Sequence, residues 1–437
     1  MVKVLLIGNG AREHSIAEAI ANSPQNPVLY SYMKAKNPGI AKLSEDIQIG
    51  SYDDLEAIKA FAQANAVDFA VIGPEDPLNN GVVDALEEVG IKSVGPKKEL
   101  AKLETSKSFT RLLMKKYKIP GNPKFKVFES LEGVRELLEE LNPNIVVKPD
   151  GLTGGKGVKV QGDHFQAEEE AYKYCEEILK EHKTVIVEEK LEGEEFSLQS
   201  FTDGKHLLDC PPVQDHKRAF AGDKGANTGG MGSYSDSNHL LPFLTKKDVK
   251  EAHEITKQVM EAICKETGTL YKGVMYGGFI VTKDGVKLIE YNARLGDPEA
   301  MNVLPILKTD FVKICQAIID GTLNKVKAEF KPMATVCKYA VPEGYPNHPV
   351  ANKKVDVSEV SKKARVYFAS VDQKEDGLYM SKSRAIAFVG IASNLEEAEV
   401  IAEDAVCSVK GPVFHREDIG TKELIEKRVK HMERLRK

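Results

Sequence analysis

Apolar runs and amphipathic segments alternate through the first hundred residues, and this alternation is the strongest constraint on how the chain folds. Runs typical of buried strands and stretches with helical spacing follow one another at Val4–Ile7, Ala11–Ala21, Asp54–Gln63, Phe69–Ile72 and Val82–Val89. Strands that alternate with helices form a parallel sheet with helices on its faces. The sequence therefore predicts a Rossmann-like α/β domain at the N-terminus.

The turn after the first strand reads Gly-Asn-Gly-Ala-Arg-Glu-His from Gly8 to His14. It is close to a dinucleotide fingerprint, but Glu13 replaces the third glycine and no acidic residue ends the second strand near Tyr30, which disfavours NAD. N–H groups at a helix N-terminus beside Arg12 suit one phosphate monoester. We predict a sugar-phosphate site here, and the alternative is a tight turn that binds no ligand.

Length and composition limit the class of protein. A chain of 437 residues is long enough for about three domains. It has no apolar run approaching the ~20 residues of a membrane span, and the short N-terminal run ends at a glycine turn, unlike a signal peptide. A net charge of -5 disfavours general nucleic-acid binding, and six scattered cysteines without a C-x-x-C pair disfavour a zinc site or disulfide framework. We expect a cytoplasmic protein with thiols in its core.

Breaks in the pattern place the domain boundaries. The first unit ends near Gly95-Pro96, and a charged helix is expected from about Glu99 to Lys118. Two strand signals, at Asn144–Lys148 and Val185–Glu189, belong to a compact, lid-sized segment. After Phe330 the pattern changes to short strands and a helix. We predict an N-terminal domain at 1–101, a central region at 102–328 with a lid at about 124–190, and a small α+β domain at 329–437.

A glycine-rich loop from Gly151 to Gly157 follows the apolar run that ends at Lys148. It lacks the spacing of a P-loop, but its N–H groups and cations are suited to polyphosphate. Because it lies between two strands, it is predicted to be a flap that closes over phosphates. A plain hairpin turn is the alternative.

A charged hinge follows the strand Val185–Glu189. An adenine ring can pair with the backbone at such a hinge, and Glu195 is suited to ribose hydroxyls. A solvated acidic turn is an equally good interpretation of Glu195 on composition alone.

Glu290 and Asn292 alternate along a further predicted strand with Arg294, so the three side chains are expected on one face. Their oxygens are ligands that Mg²⁺ prefers when it also holds phosphates. The Gly296–Glu299 turn that follows favours an active site over a strand edge.

A second charged loop joins Asp215, His216, Lys217 and Arg218, and a glycine-rich stretch follows it at 225–232. Glycines let the backbone approach a carboxyl or acyl group closely. The alternative is a charged surface turn with a flexible loop.

These segments resemble, in order, the phosphoribosylamine–glycine ligase family of the ATP-grasp superfamily. The resemblance covers residues 1–330 most strongly. Its motifs are Gly8-x-Gly-x-Arg-Glu-His14, Gly73-Pro74-Glu75-x-Pro-Leu78, Lys148-x-Asp-Gly-Leu152, Gly155-Lys-Gly157, Gln214-Asp-His-Lys-Arg218, Asn227-Thr-Gly-Gly-Met-Gly232 and Gly296-Asp-Pro-Glu299.

The resemblance implies a pre-ATP-grasp domain, an ATP-grasp domain with a mobile lid, and a small C-terminal α+β domain. It implies that glycine attacks ATP to give glycyl phosphate, which the amine of 5-phosphoribosylamine then converts to glycinamide ribonucleotide. ATP and Mg²⁺ or Mn²⁺ would be required. The expected partners are these small molecules, without nucleic acid or membrane, and we expect a monomer.

The resemblance also assigns roles to residues. Arg294 and Asp215 would help to place glycine or the amine, and Glu290 and Asn292 would hold the metal. The expected ATP-binding residues are Lys107, Lys148, Gly154, Gly155, Lys156, Gly157, Glu188, Glu189, Leu191 and Glu195. The expected substrate-binding residues are Gly8, Asn9, Gly10, Pro74, Glu75, Lys217, Gly296 and Asp297.

The C-terminal region departs from the family pattern. Phe368-Ala369-Ser370-Val371 replaces His-Ala-Gly-Thr, and Lys382-Ser383-Arg384 replaces Gly-Gly-Arg. At Gly278, some relatives have a glutamine or an acid. Two rival functions remain: another ATP-grasp ligase that uses bicarbonate or formate, and a nucleotide sensor that does no chemistry.

Overall fold

A parallel sheet forms the N-terminal part of the protein. The structure, a computed structural model, describes residues 1–152 and 157–437. The elements of this part are β1 (Lys3–Ile7), α1 (Ala11–Ala21), β2 (Val28–Met33), α2 (Pro38–Leu43), β3 (Asp46–Ile49), α3 (Leu55–Ala64), β4 (Phe69–Ile72), α4 (Glu75–Asn80), α5 (Val82–Glu88) and β5 (Lys92–Val94). The strands pair in parallel in the order β3-β2-β1-β4-β5. The predicted Rossmann-like fold is confirmed.

The strand order reverses between β1 and β4, and this reversal places the first candidate site. Chain connections leave β1 and β4 toward opposite sides of the sheet, which opens a crevice at their carboxyl ends. Ile7 and Ile72 are register partners. The turns that follow them, beginning at Gly8 and Gly73, therefore lie side by side.

The helix expected from about Glu99 to Lys118 is in fact two helices, α6 (Lys102–Thr105) and α7 (Lys107–Lys116). Ser106 between them is extended, with φ -140° and ψ 107°, and its side chain caps α7 by accepting the N–H of Phe109. Ser106 also donates to Asp150 at 3.0 Å. The expectation of one helix was wrong because Asp150, 44 residues away in sequence, holds the break.

An antiparallel sheet with its own core makes up the predicted lid. Its strands pair in the order β6-β9-β7-β8, and two helices cover it. Apolar side chains from the sheet and both helices form a separate cluster. The elements are β6 (Phe125–Phe128), α8 (Val134–Leu141), β7 (Ile145–Pro149), β8 (Lys159–Val160), α9 (Glu168–Glu181) and β9 (Val185–Glu189).

A second antiparallel sheet, in the order β11-β10-β16-β17, forms the floor beneath the lid. The long helix α10 packs on it, and short 3-10 turns occur at Leu304–Ile306 and Leu323–Lys325. The elements are β10 (Glu194–Thr202), β11 (Leu207–Asp209), β12 (Gln214–Asp215), β13 (Arg218–Phe220), β14 (Lys224–Asn227), β15 (Gly232–Ser235), α10 (Lys246–Thr267), β16 (Gly273–Thr282), β17 (Gly285–Asn292), α11 (Ala300–Val303) and α12 (Phe311–Asp320).

The C-terminal sheet continues across the expected boundary at 328. Its order is β12-β15-β18-β23-β20, so two strands from the central region pair with three strands from the C-terminal region. The remaining elements are β18 (Ala334–Pro342), β19 (Lys353–Val355), β20 (Arg365–Phe368), β21 (Val371–Lys374), β22 (Gly377–Met380), β23 (Ile386–Ala392), α13 (Leu395–Cys407), β24 (Val413–Phe414) and α14 (Lys422–Leu435). The multidomain α/β and α+β prediction is confirmed.

The cysteines and helices bear on two further expectations. All six cysteines are free, and four of them are buried as core thiols, whereas Cys264 is half-buried and Cys407 is exposed. Within the described ranges, we find no helix with the length and apolarity needed to cross a membrane.

Candidate active site

The two turns at the crevice between β1 and β4 are packed against each other. A side chain at Gly8, where φ is +136°, would collide with Glu13 and Pro74. Tyr52 donates to Asn9 Oδ1 at 2.8 Å, and Asn37 donates to the Asn9 carbonyl at 3.0 Å. These contacts fix the Gly8–Gly10 turn beside Pro74 and Glu75, as the sequence predicted for the sugar-phosphate residues.

The N–H groups of this turn are not all free, contrary to expectation. The Glu13 carboxylate accepts the Gly10 N–H at 2.6 Å and the Arg12 Nε–H at 2.5 Å. Glu13 is the third residue of α1 and reaches back to the residue before the helix, as in a capping box. The expectation was wrong for the Gly10 N–H because a side chain of the same helix already accepts it.

Arg294 lies in an acidic pocket between the first and central domains. Its guanidinium is 3.3 Å from Glu75 Oε2 and 3.0 Å from Glu104 Oε1. The Arg294 charge lowers the pKa of Glu75 to about 2, although burial opposes this. Strand β17 ends at Asn292, so Arg294 lies two residues beyond the strand, although the alternation of buried and half-buried residues continues from Glu290 to Arg294. Arg294 joins Glu75 to Glu104.

Asp297 connects the Gly8–Gly10 turn to the C-terminal sheet. A Cβ at Gly10 would be 3.8 Å from its Oδ2, and Tyr339 donates to its Oδ1 at 2.6 Å. Arg384 Nη1 is 3.2 Å from the same oxygen and donates to the carbonyls of Gly229, Gly230 and Asp297. The neighbouring Gly296 N–H donates to Gln199 at 2.7 Å. A residue of the C-terminal region thus clamps two loops of the site.

Asp215 and Glu299 form an acidic pair near these loops. Burial and the Glu299 carboxylate raise the pKa of Asp215 well above its usual range. Tyr276 donates to Glu299 at 2.7 Å, and Asp215 Oδ1 accepts the N–H of His216. Two neighbouring carboxylates repel each other unless a cation lies between them. The charges of Lys217 and Arg384 oppose the rise in the Asp215 pKa, and a further cation such as an ammonium group would act in the same direction.

Three lysines converge on Glu290 under the lid. Lys217 Nζ is 3.4 Å from Glu290 Oε1. The charges of Lys217, Lys148 and Lys107 lower the pKa of Glu290, with Lys217 the largest cause. Conversely, Glu290 raises the pKa of Lys217, whereas burial lowers that of Lys107. Three ammonium groups gathered at one place are suited to polyphosphate.

Glu188 holds Lys148 in this cluster, and its side chain is turned toward two cations. Its Oε2 accepts Lys148 Nζ at 2.7 Å, and its Oε1 accepts Arg111 Nε at 2.6 Å. Burial opposes ionisation of Glu188, but Arg111 and Lys148 outweigh it and lower the pKa to about 2. Because both side-chain oxygens are engaged, only the main chain of Glu188 is left to contact an adenine, and the predicted ATP-binding role stays a prediction.

A β-bulge precedes Glu290 in strand β17. The register passes from Gly278 opposite Glu290 to Phe279 opposite Leu288, so Ile289 is the extra residue. Arg111 donates to the carbonyls of Leu288 at 3.0 Å and Ile289 at 2.8 Å. Arg111 therefore supports both Lys148, through Glu188, and the backbone that carries Glu290.

The other residues predicted to bind ATP lie around the hinge. Glu189 Oε1 accepts the Lys124 N–H at 2.8 Å, so its carboxylate has a structural partner. Leu191 is half-buried, and Glu195 is exposed and close enough to Lys217 to raise the pKa of that lysine. The Gly157 carbonyl accepts Tyr174 at 2.8 Å. Gly154, Gly155 and Lys156 lie outside the described residues.

Two oxygen-bearing side chains that could bind a divalent metal lie close together on β17, and the carboxyl group among them is favoured in its ionised form. Glu290 and Asn292 are two residues apart on β17 and are both half-buried. Neighbouring lysines favour the ionised form of Glu290, and carboxylate and amide oxygens suit a hard cation. Gly278 lies opposite Glu290, and a Cβ at this position would be 3.4 Å from Glu290 Cγ. These residues fit Mg²⁺.

The sequence interpretation missed four residues that shape the site: Arg111, Glu104, Glu299 and Arg384. Arg111 had a usable signal, since it lies one turn after Lys107, on the buried side of α7 next to Thr110 and Met114. A charged residue on an apolar face usually has a buried partner. Glu299 ends the Gly296–Glu299 turn, which the sequence did indicate without giving Glu299 a role. The partners of Glu104 and Arg384 are distant in sequence, so no local pattern indicates those two residues.

Three family models match the chain. They are the N domain, the ATP-grasp (A) domain and the C domain of phosphoribosylglycinamide synthetase, and they match residues 2–104, 105–300 and 335–422.

Relatives and solved structures agree with these matches. A phosphoribosylamine–glycine ligase from Methanocaldococcus jannaschii is 52% identical over 446 residues, with 100% of each chain covered. The crystal structure of a phosphoribosylamine–glycine ligase from Thermotoga maritima has a TM-score of 0.81 and 28% identity, and covers 95% of this chain and 100% of that chain. The biotin carboxylase domain of 2-oxoglutarate carboxylase from Hydrogenobacter thermophilus has a TM-score of 0.71, 16% identity, and coverage of 99% and 93%. That last likeness is one of fold alone.

Proposed function

This chain belongs to the phosphoribosylglycinamide synthetase family, and from that premise we propose that it is a phosphoribosylamine–glycine ligase. It uses ATP to join glycine to 5-phosphoribosylamine, and it releases glycinamide ribonucleotide, ADP and phosphate in purine biosynthesis. The observation that carries this proposal is the convergence of Lys107, Lys148 and Lys217 on Glu290, next to the Arg294 pocket. A polyphosphate site adjoins a site for a small charged substrate.

The first step forms an acyl phosphate. A carboxylate oxygen of glycine attacks the γ-phosphorus of ATP, and ADP leaves. Lys107 and Lys148 hold the phosphates, and Lys217 neutralises charge on the transferred group. Such a transfer depends mainly on positioning and electrostatic stabilisation. Glu188 contributes by keeping Lys148 in place, and Arg111 by keeping Glu188 in place.

The bound metal belongs to the same step. Glu290 and Asn292 would hold Mg²⁺ or Mn²⁺, which neutralises phosphate charge when it is bound. Lys217 now lies 3.4 Å from Glu290 Oε1. Lys217 partly neutralises the charge of that carboxylate, and the ATP phosphates would bind beside it.

The second step forms the amide. The nitrogen of 5-phosphoribosylamine attacks the glycyl carbonyl carbon, phosphate leaves, and the nitrogen loses a proton. The acidic pair of Asp215 and Glu299 would bind the ammonium group of glycine, because a cation relieves their repulsion. Arg294 orients the reacting carboxyl group. Gly296 and Asp297 would form the wall shared by the two substrates.

The sugar phosphate is assigned to the crevice at the carboxyl ends of β1 and β4. Gly8, Asn9, Gly10 and Pro74 supply backbone there, and Glu75 would accept ribose hydroxyls. Glu13 occupies the Gly10 N–H, so the phosphate must use other donors of the turn or displace that carboxylate.

The nucleotide base is assigned to the hinge after β9. The Leu191 backbone and the main chain at Glu188 and Glu189 would frame the adenine, and Glu195 would accept a ribose hydroxyl. The domain boundaries at 101 and 328, the lid at about 124–190, the monomeric state and a cytoplasmic location belong to the same proposal.

Release of ADP tests the function directly. The purified protein would receive ATP, Mg²⁺ and glycine, with and without 5-phosphoribosylamine generated in the same tube. We expect ADP release that requires both substrates, with glycinamide ribonucleotide identified by mass. ADP release without glycine, or with bicarbonate or formate in its place, would favour the rival ligases. ATP binding with no turnover under any of these conditions would favour a sensor.

A further inference from the structure

Three potential metal ligands meet on the C-terminal region, away from the site described above. Glu403 and Cys407 lie four residues apart on α13, and His415 follows β24. One ligand atom of each residue lies within 4.8 Å of the other two. Residues at i and i+4 face the same side of a helix. Strand β24 pairs with β18, and this pairing holds His415, the next residue, against the side of α13 that carries Glu403.

We propose that Glu403, Cys407 and His415 form a binding site for a borderline divalent cation, with Zn²⁺ as the best fit. Glutamate oxygen, cysteine sulfur and histidine nitrogen are the three ligand types that zinc uses in proteins. Thiolate and imidazole select zinc over Mg²⁺, which prefers oxygen. The site is therefore chemically distinct from the pair Glu290 and Asn292.

Two of the three distances between the ligand atoms are close to those of a tetrahedral site. His415 Nε2 lies 3.0 Å from Glu403 Oε1, and Cys407 Sγ lies 3.5 Å from the same oxygen. Zinc bonds of ~2.0–2.2 Å to nitrogen and oxygen and ~2.3 Å to sulfur give tetrahedral edges of about 3.4 Å and 3.6 Å. The cysteine sulfur and the histidine nitrogen lie within 4.8 Å of each other and must approach to about 3.6 Å to share one ion.

Lys338 already orients the Glu403 carboxylate. The ammonium group of Lys338, which is fully buried, lies 2.5 Å from Glu403 Oε2 and 2.6 Å from Glu399 Oε1. It also donates to the Glu417 carbonyl at 2.8 Å. Lys338 occupies only one oxygen of Glu403, so the other remains directed at the cysteine and the histidine. Outer contacts of this kind fix metal-binding carboxylates in known sites.

The local charges favour a divalent ion in spite of Lys338. Two carboxylates, Glu399 and Glu403, share one ammonium group, which leaves one negative charge when His415 is neutral. Binding of Zn²⁺ with deprotonation of Cys407 adds two positive charges and one negative charge. The cluster is then neutral. The fourth coordination position faces solvent because Cys407 is exposed, so water can complete the tetrahedron and the ion has a path of entry.

Cobalt substitution tests the site. The full-length protein, free of nucleotide and stripped with a chelator, would be titrated with Co²⁺ and then with Zn²⁺. We expect one Co²⁺ per chain with a thiolate-to-cobalt charge-transfer band and the intense visible bands of four-coordinate cobalt, all removed by Zn²⁺. Cobalt bound at Glu290 and Asn292 would give no thiolate band. A titration without that band would overturn the proposal.

Two variants and one control assign the ligands. Cys407→Ser should abolish the charge-transfer band, and both Cys407→Ser and His415→Asn should weaken Zn²⁺ binding at least tenfold. Cys264→Ser, at the half-buried cysteine, should bind as the wild type does. Wild-type affinity in both ligand variants would also overturn the proposal. The Cys407→Ser protein, with its folding verified by circular dichroism, should still ligate glycine to 5-phosphoribosylamine. A failure of the zinc proposal can therefore be distinguished from a failure of the proposed ligase function.

Discussion

The Lys148 ammonium donates to Oε2 of Glu188 at 2.7 Å, and this ion pair is buried at the junction of the lid and the floor. Arg111 engages the other oxygen of Glu188 and continues to the bulge before Glu290. One carboxylate therefore connects a phosphate-binding lysine with the strand that carries the predicted metal ligands.

Glu188→Gln should weaken ATP binding more than it affects glycine binding. The substitution leaves two buried cations with no charged partner, so Lys148 loses its fixed position. We expect the KM for ATP to rise at least tenfold with a smaller change in the KM for glycine. Steady-state kinetics would measure both constants. Glu189→Gln, whose amide oxygen can still accept the Lys124 N–H, is the matched control, and an equal effect in the two variants would contradict this role.

Glu290→Gln should slow ADP formation by about a hundredfold or more, a loss comparable to removal of an electrostatic group in other active sites. The neutral amide is a weaker ligand for Mg²⁺ and no longer compensates Lys217. The Mg²⁺ concentration at half-maximal rate should also rise. Asp284→Asn, at an exposed residue just before β17, should have no effect. Normal turnover in a folded Glu290→Gln protein would remove the metal assignment.

Arg384→Gln should raise the KM for glycine or for 5-phosphoribosylamine while leaving that for ATP nearly unchanged. Arg384 bonds the carbonyls of Gly229, Gly230 and Asp297, so its loss frees two loops on the substrate side. We expect a tenfold to hundredfold increase, measured with each substrate in turn. Lys382→Gly, in the same turn but exposed, restores the family residue and should be neutral. A uniform loss of activity toward all three substrates would indicate a general folding defect instead.

The stability of the protein should fall as the pH decreases from about 6.5 toward 4. Burial lowers the pKa of His14 to about 4, and Nδ1 of its neutral ring accepts the Phe368 N–H at 3.0 Å. Between the two pKa values the unfolded chain binds a proton that the folded chain does not, which lowers the free energy of unfolding by up to about 3 kcal/mol. Burial likewise lowers the pKa of His216 to about 3, so His216 adds to the dependence of the unfolding free energy on pH.

Chemical denaturation at several pH values would measure this slope. His14→Gln should reduce the change in unfolding free energy across the window, even if its absolute stability is lower at every pH. His348→Gln, at an exposed position, should keep the wild-type slope. A slope unchanged in His14→Gln would show that the imidazole titrates equally in both states.

Local patterns predicted most helices and strands, because periodicity and turn residues act over a few positions. Ala11–Ala21, Phe69–Ile72 and Val185–Glu189 match the structure at both ends. The errors have a different origin. The break at Ser106 depends on Asp150, and the occupied Gly10 N–H depends on the rotamer of Glu13.

The same limit applies to the candidate site. The sequence could predict which residues carry charge near Glu290, since lysines and glycines occur in recognisable motifs. It could not predict that Glu188 turns inward to two cations, or that Arg384 reaches Asp297 from a different sheet. Both depend on how elements far apart in the chain pack together.

Because β15 pairs with β18, a protein truncated at residue 328 would lose the hydrogen bonds that β18 makes with β15. A shortened protein would expose the backbone edge of Gly232–Ser235 just beyond the Asn227–Gly232 loop. Unpaired strand edges recruit other chains, so such a fragment should self-associate. The C-terminal region thus covers a strand edge of the central region that would otherwise be exposed.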